Sequence, residues 1–169
     1  FYRAREIVRL SRDGFVDNEL FISDEMYNSF KEKHGVPMEG DIMVTGVGTL
    51  GICHIVSKED KFYFKDGNII WFKKKEEVNS QFINYCFKSD LVIKQVYSGG
   101  GSTVATYTII RAKNTRIYLP PLVKQEELVS VLDMVSKQSK KTQSKLEEQL
   151  AYLKQLKSSI LSKAFSGEL

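Results

Sequence analysis

The sequence predicts an α+β globule with a mixed sheet, followed by a long C-terminal coiled-coil helix. Three observations carry that expectation. From Leu122 to Ser166 the chain holds neither proline nor glycine and is built almost entirely of residues that a long helix tolerates. Nearly all the aromatic residues, Trp71 among them, lie before that stretch, where a core has to be built. Strand-like and helix-like runs alternate there without βαβ regularity, which argues against a doubly wound parallel sheet. The expected division is residues 1–119 as the globular, ligand-reading domain and residues 120–169 as the long helix.

Taken in order, residues 1–10 read as a short strand or loop, with a turn at Ser11-Arg12-Asp13-Gly14. Ser23 is placed to cap a short helix that ends by Gly35. A turn at residues 36–41 delivers the strand Ile42-Met43-Val44-Thr45, with residues 50–56 as its hairpin partner. A further strand is expected at residues 68–72, after a turn at Asp66-Gly67, and Lys73 opens a charged connection. Residues 80–91 carry Phe82, Ile83, Tyr85, Cys86 and Phe87 at helical spacing and predict one helix with a buried face. A glycine-rich loop at 98–102 follows, and residues 115–119 read as a last strand.

Pro120 and Pro121 cannot sit inside a helix and mark the start of the long one, while Gly167 is suited to ending it in a left-handed cap. Leu132, Ser139, Leu146, Leu153 and Ile160 fall at seven-residue intervals, flanked first by Leu128 and Val135 and later by Leu150 and Leu156. That is the layout of a coiled-coil seam whose flank drifts across the line near Gln149. A rod of about 60 Å is far longer than a domain of this size needs to cover its own core. Its apolar stripe therefore calls for a second helix, unless the rod folds back on itself at the polar stretch 136–141.

The 169 residues are 42% hydrophobic and 27% charged with a formal net charge of +4, which suits one compact domain with an appendage and permits nucleic-acid binding without announcing it. Two cysteines, Cys53 and Cys86, argue against a disulfide framework and for a reducing compartment. No apolar run reaches bilayer length and no secretory layout opens the chain, so a cytoplasmic location without membrane attachment is expected. Because the chain begins with Phe1 rather than Met, a trimmed fragment is the natural reading.

Gly46-Val47-Gly48-Thr49-Leu50-Gly51 satisfies G-x-G-x-x-G after a strand, but the next residues are strand formers. A dinucleotide site needs a helix there, so the glycines read as a tight strand connection that could present Thr45 and Thr49 to a ligand. Cys53, His54, Cys86 and His34 lack metal-ligand spacing, and no catalytic constellation is visible. His54 is expected to be solvated and the cysteines to be small core residues. The loop Tyr97-Ser98-Gly99-Gly100-Gly101-Ser102-Thr103 puts three glycines among hydroxyl residues, so its backbone could approach phosphates or base edges closely.

Several of these stretches together resemble the specificity subunit of type I restriction-modification enzymes. The matching pieces are Gly40-Asp41-Ile42-Met43 with Gly48-Thr49-Leu50-Gly51, Asn68-Ile69-Ile70, and Ser98 to Thr103. They continue with Ile117-Tyr118-Leu119-Pro120-Pro121-Leu122 with Gln125-Glu126, and the closing Leu156-Lys157-Ser158-Ser159-Ile160-Leu161-Ser162-Lys163-Ala164-Phe165-Ser166-Gly167-Glu168-Leu169. Lys124-Gln125 stands where the family commonly has Glu-Gln, and Val104-Ala105-Thr106 where its glycine loop commonly has Gln.

The resemblance implies one target recognition domain plus one conserved helix. Such a unit is a non-catalytic half-subunit that reads one half of a bipartite site in double-stranded DNA and docks methyltransferase (modification) subunits and a restriction subunit. The helix would pair with a second half or with another copy of the chain. No cofactor is expected on this chain, because S-adenosylmethionine, ATP and Mg belong to the partner subunits.

On that reading Lys31, Lys33, Thr45, Thr49, Lys58, Tyr97, Ser98, Gly99, Gly100, Ser102 and Thr103 are the candidate DNA contacts. Leu128, Leu132, Val135, Leu146, Leu150, Leu153 and Ile160 are the candidate spacer and dimer contacts. The competing expectation is a structural coiled-coil dimerisation module with a protein-binding globular head.

Overall fold

The structure is a computed structural model, and it describes residues 1–17, 20–64, 67–98 and 105–167. The chain divides into two compact units, Phe1–Val129 and Ser130–Leu169.

The first unit is built on three short antiparallel strands, β1 (Ile42–Thr45), β2 (Cys53–Ile55) and β3 (Ile69–Phe72), in the order β2-β1-β3. Met43 sits opposite His54 on one side and Trp71 on the other. All four residues of β1 are buried, because both faces of the sheet are covered and period-two alternation has no solvent side to report. Ile42, Val44 and Ile70 pack with Phe87, Val92, Val96 and Tyr107, while Met43 and Ile69 pack with Tyr2, Ile7, Leu10, Val56 and Phe62. The α+β expectation therefore holds, with the named strands all antiparallel.

Residues 1–10 differ from the expected strand or loop. Helix α1 (Ala4–Asp13) forms there because Ile7 and Leu10, three residues apart, both reach the core, and because Glu6 closes the first turn. Its Oε2 accepts the Arg3 backbone N–H at 2.9 Å, and Gly14, at φ 77°, ends the helix by donating to the Leu10 carbonyl. The Glu6 carboxylate is almost wholly buried. Burial alone would raise its pKa, but hydrogen bonds from the Arg3 and Arg5 guanidiniums and the Arg3 amide outweigh it and hold the pKa at about 2.

Helix α2 (Asp24–His34) starts at the expected cap, with Ser23 Oγ accepting the Met26 N–H at 3.2 Å, and stops at Gly35. The helix expected over residues 80–91 is two helices, α3 (Ser80–Phe87) and α4 (Asp90–Tyr97). Ser89 interrupts it by capping α4, where its Oγ accepts the Val92 N–H. A short helix α5 (Ile109–Asn114) follows, capped by Thr108.

The strand expected at residues 115–119 does not form. In its place the Gln95 side chain pairs with both backbone groups of Arg116, accepting its N–H at 2.9 Å and donating to its carbonyl at 3.0 Å, as a neighbouring strand would.

Helix α6 (Leu122–Ser166) is a single helix of 45 residues, so no hairpin forms at 136–141. Gly167 follows at φ 76°, the left-handed conformation expected of it. The first turn of α6 belongs to the first unit through Gln125, the one fully buried residue of the helix. Its carboxamide accepts the Asn79 N–H at 2.9 Å and donates to the carbonyls of Glu77 and Pro120. In the second unit Leu146, Leu150, Leu153 and Ile160 are each half or more exposed. No helix of the described residues is long and apolar enough to cross a membrane.

Candidate nucleic-acid interface

The G-x-G-x-x-G segment connects β1 to β2, as its strand-forming sequel required. Each glycine has a reason. A Cβ on Gly46 would stand 2.7 Å from the Tyr107 carbonyl oxygen, and Gly48 and Gly51 have φ of 71° and 74°. The connection is tied inward at Gly46, whose N–H donates to the Asn68 carbonyl and whose carbonyl accepts the Tyr107 N–H, both at 2.8 Å.

Thr45 does not present its hydroxyl outward. It is fully buried, its Oγ1 donates to the Thr49 carbonyl at 2.5 Å, and the same oxygen accepts the Ile52 N–H at 3.0 Å. That threonine staples the connection shut, because any strand-to-strand loop this tight leaves backbone groups needing partners. Thr49, by contrast, is exposed.

Thr49 and the half-exposed Tyr97 line one cleft of about 340 Å³ together with Ser11, Asn84, Lys88 and Ile93. Asn84 and Lys88 were not visible as candidates in the sequence, since their helix reads there as a buried face. Asn84 Oδ1 is buried with no hydrogen-bond partner among the described residues, while its Nδ2 donates to Gln81.

Ser98 is also exposed, but its hydroxyl already donates to the Gln95 carbonyl at 2.9 Å. Gly99, Gly100, Ser102 and Thr103 lie outside the described residues. Their flanks are held by Arg111, a second residue the sequence did not single out. Its guanidinium donates to the Thr106 carbonyl on one side and, on the other, to the carbonyls of Gln95 and Val96 at 3.0 and 2.9 Å and to Ser98 Oγ at 3.5 Å. Tyr107, stacked edge-on against Phe87, donates to or accepts from Thr115 Oγ1 at 2.7 Å, and burial raises its pKa.

Lys31, Lys33 and Lys58 do not join this cleft. Residues 36–41 enter β1 and residues 56–60 leave β2, so these lysines stand at the opposite end of the strands from Thr49 and Tyr97. Lys31 and Lys33 are exposed in the last turn of α2, and Lys58 faces Glu39 at 3.9 Å. The candidate contacts among the described residues thus fall in two groups, at the two ends of the sheet.

His54 is also not simply solvated. Its Nε2 lies 2.9 Å from Asp60 Oδ2, both side chains are mostly covered, and the same carboxylate oxygen accepts the Ser57 N–H. Cys53 is a core residue, and burial pushes its thiol up to about 12; Cys86, partly covered, is raised for the same reason. Among the described residues no three His, Cys, Asp or Glu side chains gather as a metal site would require.

The sheet thus has a cleft bordered by Thr49, Asn84, Lys88 and Tyr97 at one end and the exposed Lys31, Lys33 and Lys58 at the other. Residues 10–152 match the family described as the type I restriction modification DNA specificity domain, and the chain belongs to that family. It is 32% identical over 116 residues to a Haemophilus influenzae protein named as a type I restriction enzyme specificity subunit, an alignment covering 68% of this chain and 29% of that protein. It is 30% identical over 95 residues to the C-terminal part of a Mycoplasma pneumoniae type I specificity subunit, so named, covering 56% of this chain and 60% of that one. The chain thus spans less than two thirds of the length of either relative.

Proposed function

We propose that this chain is a non-catalytic specificity half-subunit. Its globular part reads one half of a bipartite site in double-stranded DNA, while α6 sets the distance to a second half and offers a docking place for adenine-methylating subunits. The observation that carries this reading is the joining of a family assigned to DNA specificity with a helix whose apolar stripe the chain leaves open. S-adenosylmethionine, ATP and Mg would be held by the partners, and the cleft holding Thr49, Asn84, Lys88 and Tyr97 is the place where base edges would be met.

The second helix is best supplied by another copy running antiparallel. Glu126, Asp133, Lys140, Glu147 and Lys154 flank the seam at seven-residue intervals, beside Leu132, Ser139, Leu146 and Leu153. An antiparallel copy crossing near Gln143-Ser144 sets Asp133 against Lys154 and Lys140 against Glu147, twice each by symmetry. A parallel pair in register faces Asp133, Lys140, Glu147 and Lys154 with Leu128, Val135, Thr142 and Gln149, which carry no charge. Two identical readers related in this way would call for a palindromic site with a fixed gap.

The full chain, alone and assembled with a methylating subunit, can be titrated against random and selected duplexes at two salt concentrations. Retardation that weakens with salt, and a selected sequence made of two inverted halves at constant spacing, is the expected result. A dimer that ignores duplex DNA even in the assembled form would instead leave a coiled-coil module with a protein-binding head.

A further inference from the structure

The lysine-bearing end of the sheet carries more than the sequence suggested. Lys73 and Lys74, which read there only as a charged connection, join Lys31 around one open depression of about 520 Å³ floored by Gly35, Val36 and Trp71. Lys74 also borders an adjoining depression of about 370 Å³, which holds Lys58. These side chains are exposed, and among the described residues Lys31, Lys73 and Lys74 have no ion-pair partner.

Their bases are held firmly. The buried Asp41 carboxylate accepts the Lys74 N–H and the Trp71 Nε1–H, each at 2.8 Å, and the Met38 N–H at 2.9 Å. Lys73 Nζ stands 4.4 Å from the Trp71 ring centroid. Lys74 lies across Gly40, where a Cβ would come within 2.5 Å of its Cδ and where φ is +82°. A side chain at residue 40 would push Lys74 off the turn.

We infer that this end of the sheet tracks the phosphate backbone of the duplex, separately from the cleft at the other end that meets the bases. The inference rests on the DNA reading above. Lysines are mobile point charges without the planar fork that would favour a fixed carboxylate, and two adjoining open depressions suit a repeating anion better than one docked acidic side chain. Three acids border the depressions: Asp41 is buried and holds three N–H donors, Glu39 is opposed by Lys58, and Glu59 borders only the depression that holds Lys58, which leaves Lys31, Lys73 and Lys74 for the ligand.

The test is a triple variant of the chain, Lys31→Gln with Lys73→Gln and Lys74→Gln, assembled with a methylating subunit and titrated with duplex DNA by fluorescence anisotropy across a salt series. The Lys74 N–H bond to Asp41 survives these changes, so the melting curve should match that of the unaltered chain. Loss of three phosphate contacts from each reading head should flatten the slope of log Kd against log salt by about 2 to 3 per head, about 5 for the symmetric pair, with the preference for selected over random duplex retained. Thr49→Ala with Tyr97→Phe should do the reverse, relaxing preference at constant slope.

An unaltered slope in the triple variant, beside a steep one in the parent, overturns the inference and leaves the DNA reading standing. A triple variant that binds DNA normally but no longer assembles with the methylating subunit also overturns it, and marks the lysines as a protein contact. A parent without salt-sensitive binding overturns the DNA reading itself.

Discussion

The globular unit and the helical one solve the same problem in opposite ways. Residues 1–129 close two apolar clusters around the faces of a three-stranded sheet, so that Ile7, Met43, Val44 and Tyr107 are wholly shielded within one chain. Residues 130–169 carry a comparable run of leucines and close nothing, with Leu146, Leu150 and Leu153 each more than half exposed. One unit buries its apolar residues within itself; the other is a helix whose apolar side is left exposed among the described residues.

The sharpest way to break this contrast is to charge the open stripe. Leu146→Asp with Leu153→Asp should weaken self-association more than 100-fold, about 3 kcal/mol or beyond, in sedimentation equilibrium, and leave the cooperative melting of the globule where it was. Association that survives the pair of aspartates would move the contact elsewhere. In the globule the ranking reverses: Phe87→Ala, in the cluster against the sheet, should cost about 3 to 4 kcal/mol of unfolding free energy in urea titration. It should leave the helical signal of α6 in the associated chain largely intact.

Gln125 tests the joint between the two behaviours. Gln125→Ala leaves the Asn79 N–H and the Glu77 and Pro120 carbonyls short of a partner, and should cost about 2 kcal/mol in the same titration. A change at Leu132, seven residues further on, should cost the globule nothing measurable.

The smallest effect is set by pH. Glu6 ionises more easily in the folded chain than in the unfolded one, about 2 against 4.5, so the stability it supplies is full above pH 4.5 and is lost as pH falls towards 2. Glu6→Gln should remove that part of the acid sensitivity: the variant should be less stable than the parent by on the order of 1 to 2 kcal/mol above pH 4.5, once the partly exposed arginines are allowed for, and the two should converge as pH falls towards 2. A parent and variant with parallel acid-unfolding curves would show the ion pairs to be inert.

What could be read from the sequence followed the physics of local signals. The long helix was legible because forty-five residues without a breaker leave few alternatives, and the β1–β2 pair because glycines and a strand-forming sequel fix a tight connection. The start of the chain was not: in Arg5-Glu6-Ile7-Val8-Arg9-Leu10 only three apolar residues speak, and Glu6 looks like a solvent residue until Arg3 and Arg5 are seen folded over it. The break at Ser89 and the missing strand at 115–119 both come from side chains replacing backbone partners, which composition cannot register.

Which candidate contacts lie together could not be read from the sequence for a different reason. Lys31, Lys58, Thr49 and Tyr97 are scattered in sequence, and only the direction of β1 and β2 decides which end each reaches. Thr45 shows the same limit, being two residues from Val47 yet sealed inside by its own loop.

The clamp at Gln125 bears on how heads of different taste could be exchanged between such chains. A junction cut at the double proline would leave the donor's 77–79 segment leaning on whatever side chain the recipient helix carries at position 125, and without a Gln there the transplant would arrive with three orphaned backbone groups. A junction placed after Val129 carries that root along, so grafts should be spliced two turns into the helix rather than at its visible beginning.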